Sequence, residues 1–228
     1  MTISPADSAL YGALFSDPEI ADAFSDAATL RAMLDVEAAL ARVQGRLGII
    51  PSDAGARIAD IASSFEPDIA GIAAGTEKSG VPIIPLVEQL RAAVGGEAAG
   101  FVHWGATSQD IVDTGLMLRL RGVADRIEEK TGRLSGLLGK LADEHRGTVM
   151  AARTRSQQAL PTSFGLKAAG WLSPLIDHAA RLEELRPRLL AVQFGGAVGT
   201  LAALDDRGVE VMEALGAELN LVVPAAAW

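Results

Sequence analysis

Apolar residues recur at intervals of three and four along most of the chain, the spacing that lines them up on one face of a helix. Between Thr29 and Leu47, Leu30, Met33, Leu34, Leu40, Ala41 and Leu47 form one broad stripe, and Gly48 supplies a stop before Ile49-Ile50-Pro51. Ser52 is the expected N-cap of a short helix through Ile61. Pro67-Asp68-Ile69 opens another that runs toward Ser79-Gly80. Val81-Pro82-Ile83-Ile84-Pro85 is expected to be non-helical, because each proline lacks a donor and restricts its predecessor. A helix then restarts at Leu86 and ends near Gly95-Gly96.

After Gly105 the stripes lengthen. Thr107 or Ser108 can cap a helix carrying Met117, Leu118, Leu120, Val123, Ile127, Leu134, Leu137, Leu138 and Leu141 to a stop near Arg146-Gly147. At 1.5 Å per residue that is on the order of 60 Å, a length that belongs to extended bundles. A second long helix is expected from Pro161-Thr162, with a kink at Pro174 and a break near Pro187, and a third from about Asp206 to Leu219. No segment reads as a strand or hairpin. The predicted fold class is all-α: a small N-terminal helical domain (1–104), then part of a central bundle of long helices (105–228). Two long helices with apolar residues on more than one side cannot bury them alone, so the protein oligomerises or the chain belongs to a longer polypeptide. The uncharged ending Leu221-Val222-Val223-Pro224-Ala225-Ala226-Ala227-Trp228 reads as an interrupted sequence.

Composition sharpens this picture. Aromatic residues are 4% of the 228, so the core is built from Ala, Leu, Ile and Val, and alanine lets helix axes approach. The net charge of −9 and the lack of a basic stripe exclude nucleic acid as a partner. Cysteine is absent, which excludes disulfides, thiolate metal sites and cysteine nucleophiles. His103, His145 and His178 show no metal-ligand spacing, and no metal is expected. The start, Met1-Thr2-Ile3-Ser4-Pro5-Ala6-Asp7, has neither the basic opening nor the apolar centre of a signal peptide, and no stretch has the length of a membrane span. A cytoplasmic protein with no membrane partner is the expectation.

Three polar segments exceed what packing requires. In His103-Trp104-Gly105-Ala106-Thr107-Ser108-Gln109-Asp110-Ile111-Val112-Asp113-Thr114, two hydroxyls and free N–H groups stand at a helix N-terminus, a ready anion site. An ordinary cap, with Asp110 complementing the helix dipole, explains the same residues. Arg153-Thr154-Arg155-Ser156-Gln157-Gln158 combines two arginines with hydroxyls and amides. The planar guanidinium is the natural clamp for carboxylates, though a solvated connection between helices would look alike. Gln193-Phe194-Gly195-Gly196-Ala197-Val198-Gly199-Thr200 is not a dinucleotide-binding fingerprint. Its glycines can admit close approach of a ligand or a helix, but a plain helix-to-helix turn accounts for them better.

Taken as a set, these segments resemble the fumarase/aspartase superfamily. Phe24-Ser25-Asp26, Leu34-Asp35-Val36-Glu37-Ala38-Ala39-Leu40-Ala41 and Gly80-Val81-Pro82-Ile83-Ile84-Pro85-Leu86-Val87 narrow the similarity to its 3-carboxy-cis,cis-muconate cycloisomerase branch. The resemblance spans essentially the whole chain. It implies a central bundle of the fumarase/aspartase type, assembled as a homotetramer whose active sites are shared between subunits. It implies no cofactor and a small polycarboxylate substrate.

Two departures from the superfamily pattern bear on the chemistry. Where adenylosuccinate lyases carry Thr-His, this chain has Thr154-Arg155. Arginine cannot act as an acid near neutral pH, which argues against adenylosuccinate cleavage and fits lactonisation, the substrate's own carboxylate being the nucleophile. The Gly-Ser-Ser-x-Met-Pro loop bearing the family's catalytic serine does not occur, and that serine is expected beyond residue 228. The resemblance thus implies Arg155 and Thr154 as catalytic residues, and Thr107, Ser108, Gln157 and Gly196 as substrate-binding residues. An adenylosuccinate-type lyase that releases fumarate and a non-catalytic helical assembly module are the competing expectations.

Overall fold

The computed structural model describes residues 4–227; Met1-Thr2-Ile3 and the terminal Trp228 of the segments above lie outside the described residues. In chain order the elements are α1 (Gly12–Phe15), α2 (Pro18–Ala23), α3 (Asp26–Leu47), α4 (Ser52–Ser64), α5 (Ile69–Ser79), α6 (Ile83–Val94), α7 (Ser108–Glu144), β1 (Val149–Thr154), β2 (Gln157–Ser163), α8 (Phe164–Leu189) and α9 (Gly208–Leu219), with 3-10 turns at Pro5–Asp7, Glu97–Phe101 and Ala202–Arg207. They form two compact units: the residues up to Gly122 with those from Leu189 onward, and Val123–Arg188.

The first unit is built around α3. Leu34, Val36, Ala39 and Val43 have no exposed surface, so this helix is covered on several sides rather than along one stripe. Small residues make that possible. A Cβ on Gly55 of α4 would lie 2.6 Å from the Ala41 carbonyl oxygen and 3.0 Å from the Gly45 Cα, so the α3–α4 crossing is in backbone contact. Ile83, Leu86, Leu90 and Val94 of α6 and Val211 and Leu215 of α9 join the same core. Full burial of such side chains contributes about 1.5–3 kcal/mol each.

Helix α6 begins three residues earlier than the proline pattern predicts. Pro82 is its N-cap and Pro85 falls in its first turn, where N–H groups have no intrahelical acceptor and proline removes nothing. Ser52 is likewise the first residue of α4, with Pro51 at the cap position, and makes no capping bond. Helix α9 starts at Gly208, after the 3-10 turn that takes up Asp206.

Arg42 and Arg46 of α3 meet Glu218 of α9 at 2.8 and 3.1 Å. Hydrogen bonding to Arg42, then to Arg46, holds the Glu218 carboxyl below the usual carboxylate range. Its stabilisation is therefore complete above the unfolded pKa, about 4.3, and is lost as pH falls through the lower folded value. The pair is partly exposed, so Glu218→Gln is expected to cost about 0.5–1 kcal/mol at pH 7. Melting curves of both proteins should draw together as pH falls below the carboxylate range; a gap that does not narrow would mean the carboxylate charge is not the source.

The second unit contains the part of α7 from Val123, the hairpin and most of α8. The hairpin corrects the expectation of a strand-free chain and of a helix from Pro161-Thr162: Pro161 pairs with Ala151 and Thr162 with Met150 in an antiparallel two-stranded sheet. Most of its side chains are exposed, Val149 by 77% and Leu160 by 81%, so no alternation of apolar and polar residues marks it in the sequence. Proline is tolerated because both strands are edges. Ser163 then caps α8, its Oγ accepting from the Leu166 N–H at 3.1 Å. A Cβ on Gly165 would lie 2.4 Å from the Ala142 carbonyl oxygen, so α8 starts against the last turn of α7. Helix α8 runs through Pro174 and Pro187 and ends at Leu189. Its Arg186 holds Asp125 at 2.7 Å and Glu128 at 2.6 Å, the hydrogen bond to Asp125 leading the rise in guanidinium pKa. No described helix is long and apolar enough to cross a membrane.

Candidate active site

Three of the sequence-predicted residues come together in the first unit. Thr107 precedes α7 and Ser108 is its first residue, while Gly196 lies 88 positions beyond Ser108 on the connection after α8. The chain around Gly196 is fixed by its neighbours: Val192 N–H donates to the Val222 carbonyl at 2.9 Å, and Val222 N–H to the Leu190 carbonyl at 2.9 Å. Phe194 is fully buried. Gly196 has φ +66°, and a Cβ there would come within 3.2 Å of the Gly105 carbonyl oxygen. Only glycine lets the two turns approach in this conformation.

The group that joins them is Asp110. Its buried carboxylate accepts from Gly195 N–H at 2.8 Å, Gly196 N–H at 2.9 Å and Thr107 N–H at 2.9 Å. One turn along α7, the buried Thr114 hydroxyl donates to the Gln193 carbonyl and accepts from the Gln193 N–H, both at 2.9 Å. Among the described residues, no hydrogen bond engages the hydroxyl of Thr107 or Ser108. Both line a groove of ≈ 480 Å³ whose other walls include Val112, Asp113 and Ala197. A helix N-terminus bearing two uncommitted hydroxyls is suited to a carboxylate.

A smaller cavity of ≈ 150 Å³ shares Ser108 and is lined on its other side by His103 and Arg91. His103 has φ +63°, a conformation uncommon outside glycine. Its Nδ1 contacts the fully buried Glu37 of α3. Gln44 Nε2 donates to the Trp104 carbonyl at 2.8 Å, and Arg91 donates to the Val102 carbonyl at 3.1 Å. The turn that presents Thr107 and Ser108 is thus fastened to α3 and α6 by side chains.

Thr154, Arg155 and Gln157 come together in the second unit, at the hairpin tip. Thr154 pairs with Gln157, leaving Arg155-Ser156 as a two-residue loop with φ +46° and +67°. These are the left-handed values of a type I′ turn, usually taken by Asn-Gly. Arginine and serine there cost backbone energy that packing does not explain, since both side chains are exposed. Arg153 pairs with Gln158 on the same strands.

Asp110, Thr114 and Glu37 are the organising residues that sequence reasoning left in lesser roles. A signal for them exists. Asp110 and Thr114 stand four apart and share a helix face with Ile111 beside them, and Glu37 falls between Leu34 and Leu40 on the apolar face of α3. A carboxylate on such a face must find donors.

The family described as lyase matches residues 13–227. A 3-carboxy-cis,cis-muconate cycloisomerase of Bradyrhizobium diazoefficiens is 45% identical over 99% of this chain and 51% of its own length. The crystal structure of a 3-carboxy-cis,cis-muconate lactonizing enzyme from Pseudomonas putida superposes with a TM-score of 0.93 and 43% identity, over 97% of this chain and 51% of the other. That of a fumarate lyase from Mesorhizobium sp. BNC1 gives a TM-score of 0.90 and 48% identity, over 94% of this chain and 50% of the other. The chain spans about half the length of the curated relatives it matches. The fold is therefore the helical one of these enzymes, and among the described residues it includes one small two-stranded hairpin.

Proposed function

We propose, on the premise that the chain belongs to the lyase family, that it serves in a cycloisomerase forming a lactone from 3-carboxy-cis,cis-muconate or a close anionic analogue, in the breakdown of aromatic acids through protocatechuate in the cytoplasm. The observation that carries this reading is Arg155, a permanent cation held at left-handed φ on a hairpin tip. It can stabilise charge but cannot deliver a proton. The cycloisomerase and lactonizing enzyme to which the chain is similar are named for such a reaction.

In the reaction a carboxylate oxygen bonds to one carbon of a conjugated double bond, and the adjacent carbon takes a proton. No atoms are lost. Carboxylate and double bond belong to one molecule, so the site has only to hold them in near-attack geometry. Thr107 and Ser108 donate hydrogen bonds to a substrate carboxylate at the α7 N-terminus. Arg155 faces the negative character that builds on the carboxylate conjugated to the reacting carbon, as an oxyanion site does. In the site shared between subunits, Thr154 and Gln157 orient what the hairpin contributes, and Gly196 keeps the backbone close to the α7 N-terminus. Because Arg155 cannot donate it, the proton comes from another group of the full-length enzyme or from solvent.

For the assembled enzyme we place the domain division at 104/105 and the subunits in a homotetramer with shared sites. Ile127, Leu134, Leu137, Trp171 and Ile176 of the long helices are each more than 40% exposed, an apolar surface that calls for partners. Native mass of the full-length protein tests the assembly.

A second reading is a lyase that releases fumarate, favoured by the 48% identity to the fumarate lyase of Mesorhizobium. Ultraviolet absorbance separates the two with full-length enzyme and 3-carboxy-cis,cis-muconate. The cycloisomerase consumes the muconate chromophore with no second product. An unchanged muconate spectrum, with fumarate appearing from a succinyl adduct, would replace the first reading by the second.

A further inference from the structure

Asp110 does more than cap a helix. Its bond to Thr107 N–H is local, the return half of a capping box in which the third helical residue reaches back to the cap. Its bonds to Gly195 and Gly196 join residues 85 and 86 positions away. Two successive N–H groups meet one carboxylate, Gly195 at Oδ1 and Gly196, with φ +66°, at Oδ2, much as successive N–H groups elsewhere cradle phosphate. Here the anion is the chain's own buried carboxylate. An ionised carboxylate is acceptor-only, so it can take all three N–H groups, whereas an amide or a protonated acid would point a donor at one of them. Thr114 repeats the device one turn later by satisfying both backbone groups of Gln193.

The groove bounded by Thr107 and Ser108 on one side has Ala197, the residue after Gly196, on the other. Asp110 bonds the backbone on both sides. We infer that Asp110 and Thr114 are positioning residues that set the width of this groove. They latch residues 193–196 onto the first two turns of α7, so that the helix N-terminus and the glycine turn meet a substrate carboxylate as one rigid wall. This rests on the proposed reaction only for its kinetic readout.

The test uses the full-length enzyme and the variants Asp110→Asn, Thr114→Val and Thr114→Ser, compared at equal concentrations of folded, fully assembled protein. A latch that shapes the groove predicts KM for the muconate raised at least tenfold in Asp110→Asn and several-fold in Thr114→Val, with kcat changed less. Thr114→Ser keeps the hydroxyl and should recover most of the lost affinity. A role confined to stability would lower the yield of folded enzyme and leave KM per folded subunit at its original value, and that result overturns the inference. If Asp110→Asn does not fold, the Thr114 pair decides by the same criterion. Hydrogen–deuterium exchange across residues 193–196 gives a readout independent of turnover. Faster exchange there in Thr114→Val than in Thr114→Ser supports the latch, and equal exchange refutes it. Should wild-type enzyme fail to turn over the muconate, the proposed reaction falls, while the exchange experiment still judges the latch.

Discussion

Alanine in place of Arg155 in the full-length enzyme is expected to lower kcat/KM for the muconate at least tenfold, toward the ~10²–10³ loss typical when one oxyanion donor is removed. Arg155→Lys keeps a charge but loses the planar fork that matches a carboxylate, so its activity should fall between. Backbone geometry makes a third variant informative. At φ +46° an arginine pays roughly 1 kcal/mol or more that glycine does not, so Arg155→Gly should leave the hairpin at least as stable while removing the cation. Activity lost without stability lost would show that this side chain stays at a strained position for chemistry. Unchanged kcat/KM in Arg155→Ala would remove the residue from the site, and with it the main argument for lactonisation over fumarate release.

How much of this was legible in the sequence depends on which interactions hold each part. The long helices were, because α3 and α7 repeat apolar residues over many turns and the pattern averages out local exceptions. Helix starts were less so. Pro82 and Pro85 look like breakers, yet a proline removes a bond only where an acceptor stands four residues back, and in the first turn of α6 there is none. The hairpin was not legible: its strands bury almost nothing, its turn is Arg155-Ser156 instead of a glycine dipeptide, and its register Thr154–Gln157 is a backbone property.

The candidate site divides in the same way. Thr107, Ser108, Gly196 and Arg155 stand out as residue types in unusual settings. Asp110 does not, because a carboxylate in the first turn of a helix is ordinary dipole complementarity. What distinguishes it is a bond to Gly195 and Gly196, and that contact exists only once α7 and the chain after α8 have come together. Glu37 was nearer to being readable, since an acidic residue between Leu34 and Leu40 on an apolar face demands a partner; that the partner is His103 required the fold.

The same dependence on backbone contact governs stability at the α3–α4 crossing, where a large structural effect is expected. Gly55→Ala places a methyl group 2.6 Å from the Ala41 carbonyl oxygen and 3.0 Å from the Gly45 Cα. Neither obstacle is a flexible side-chain end, so relief requires the helices to separate. Separation loosens the leucines and valines that α3 buries on several sides, and overpacking of this kind costs about 1–3 kcal/mol, more for a larger side chain. At roughly 2–4 °C per kcal/mol for a chain of this size, Gly55→Ala should lower Tm by several degrees and Gly55→Val by more. Helix propensity pulls the other way, by up to about 1 kcal/mol in favour of alanine, so the sign of the change decides between the two effects. An alanine variant as stable as wild type would mean that α3 and α4 can part without cost, and that their close approach is not what holds this unit together.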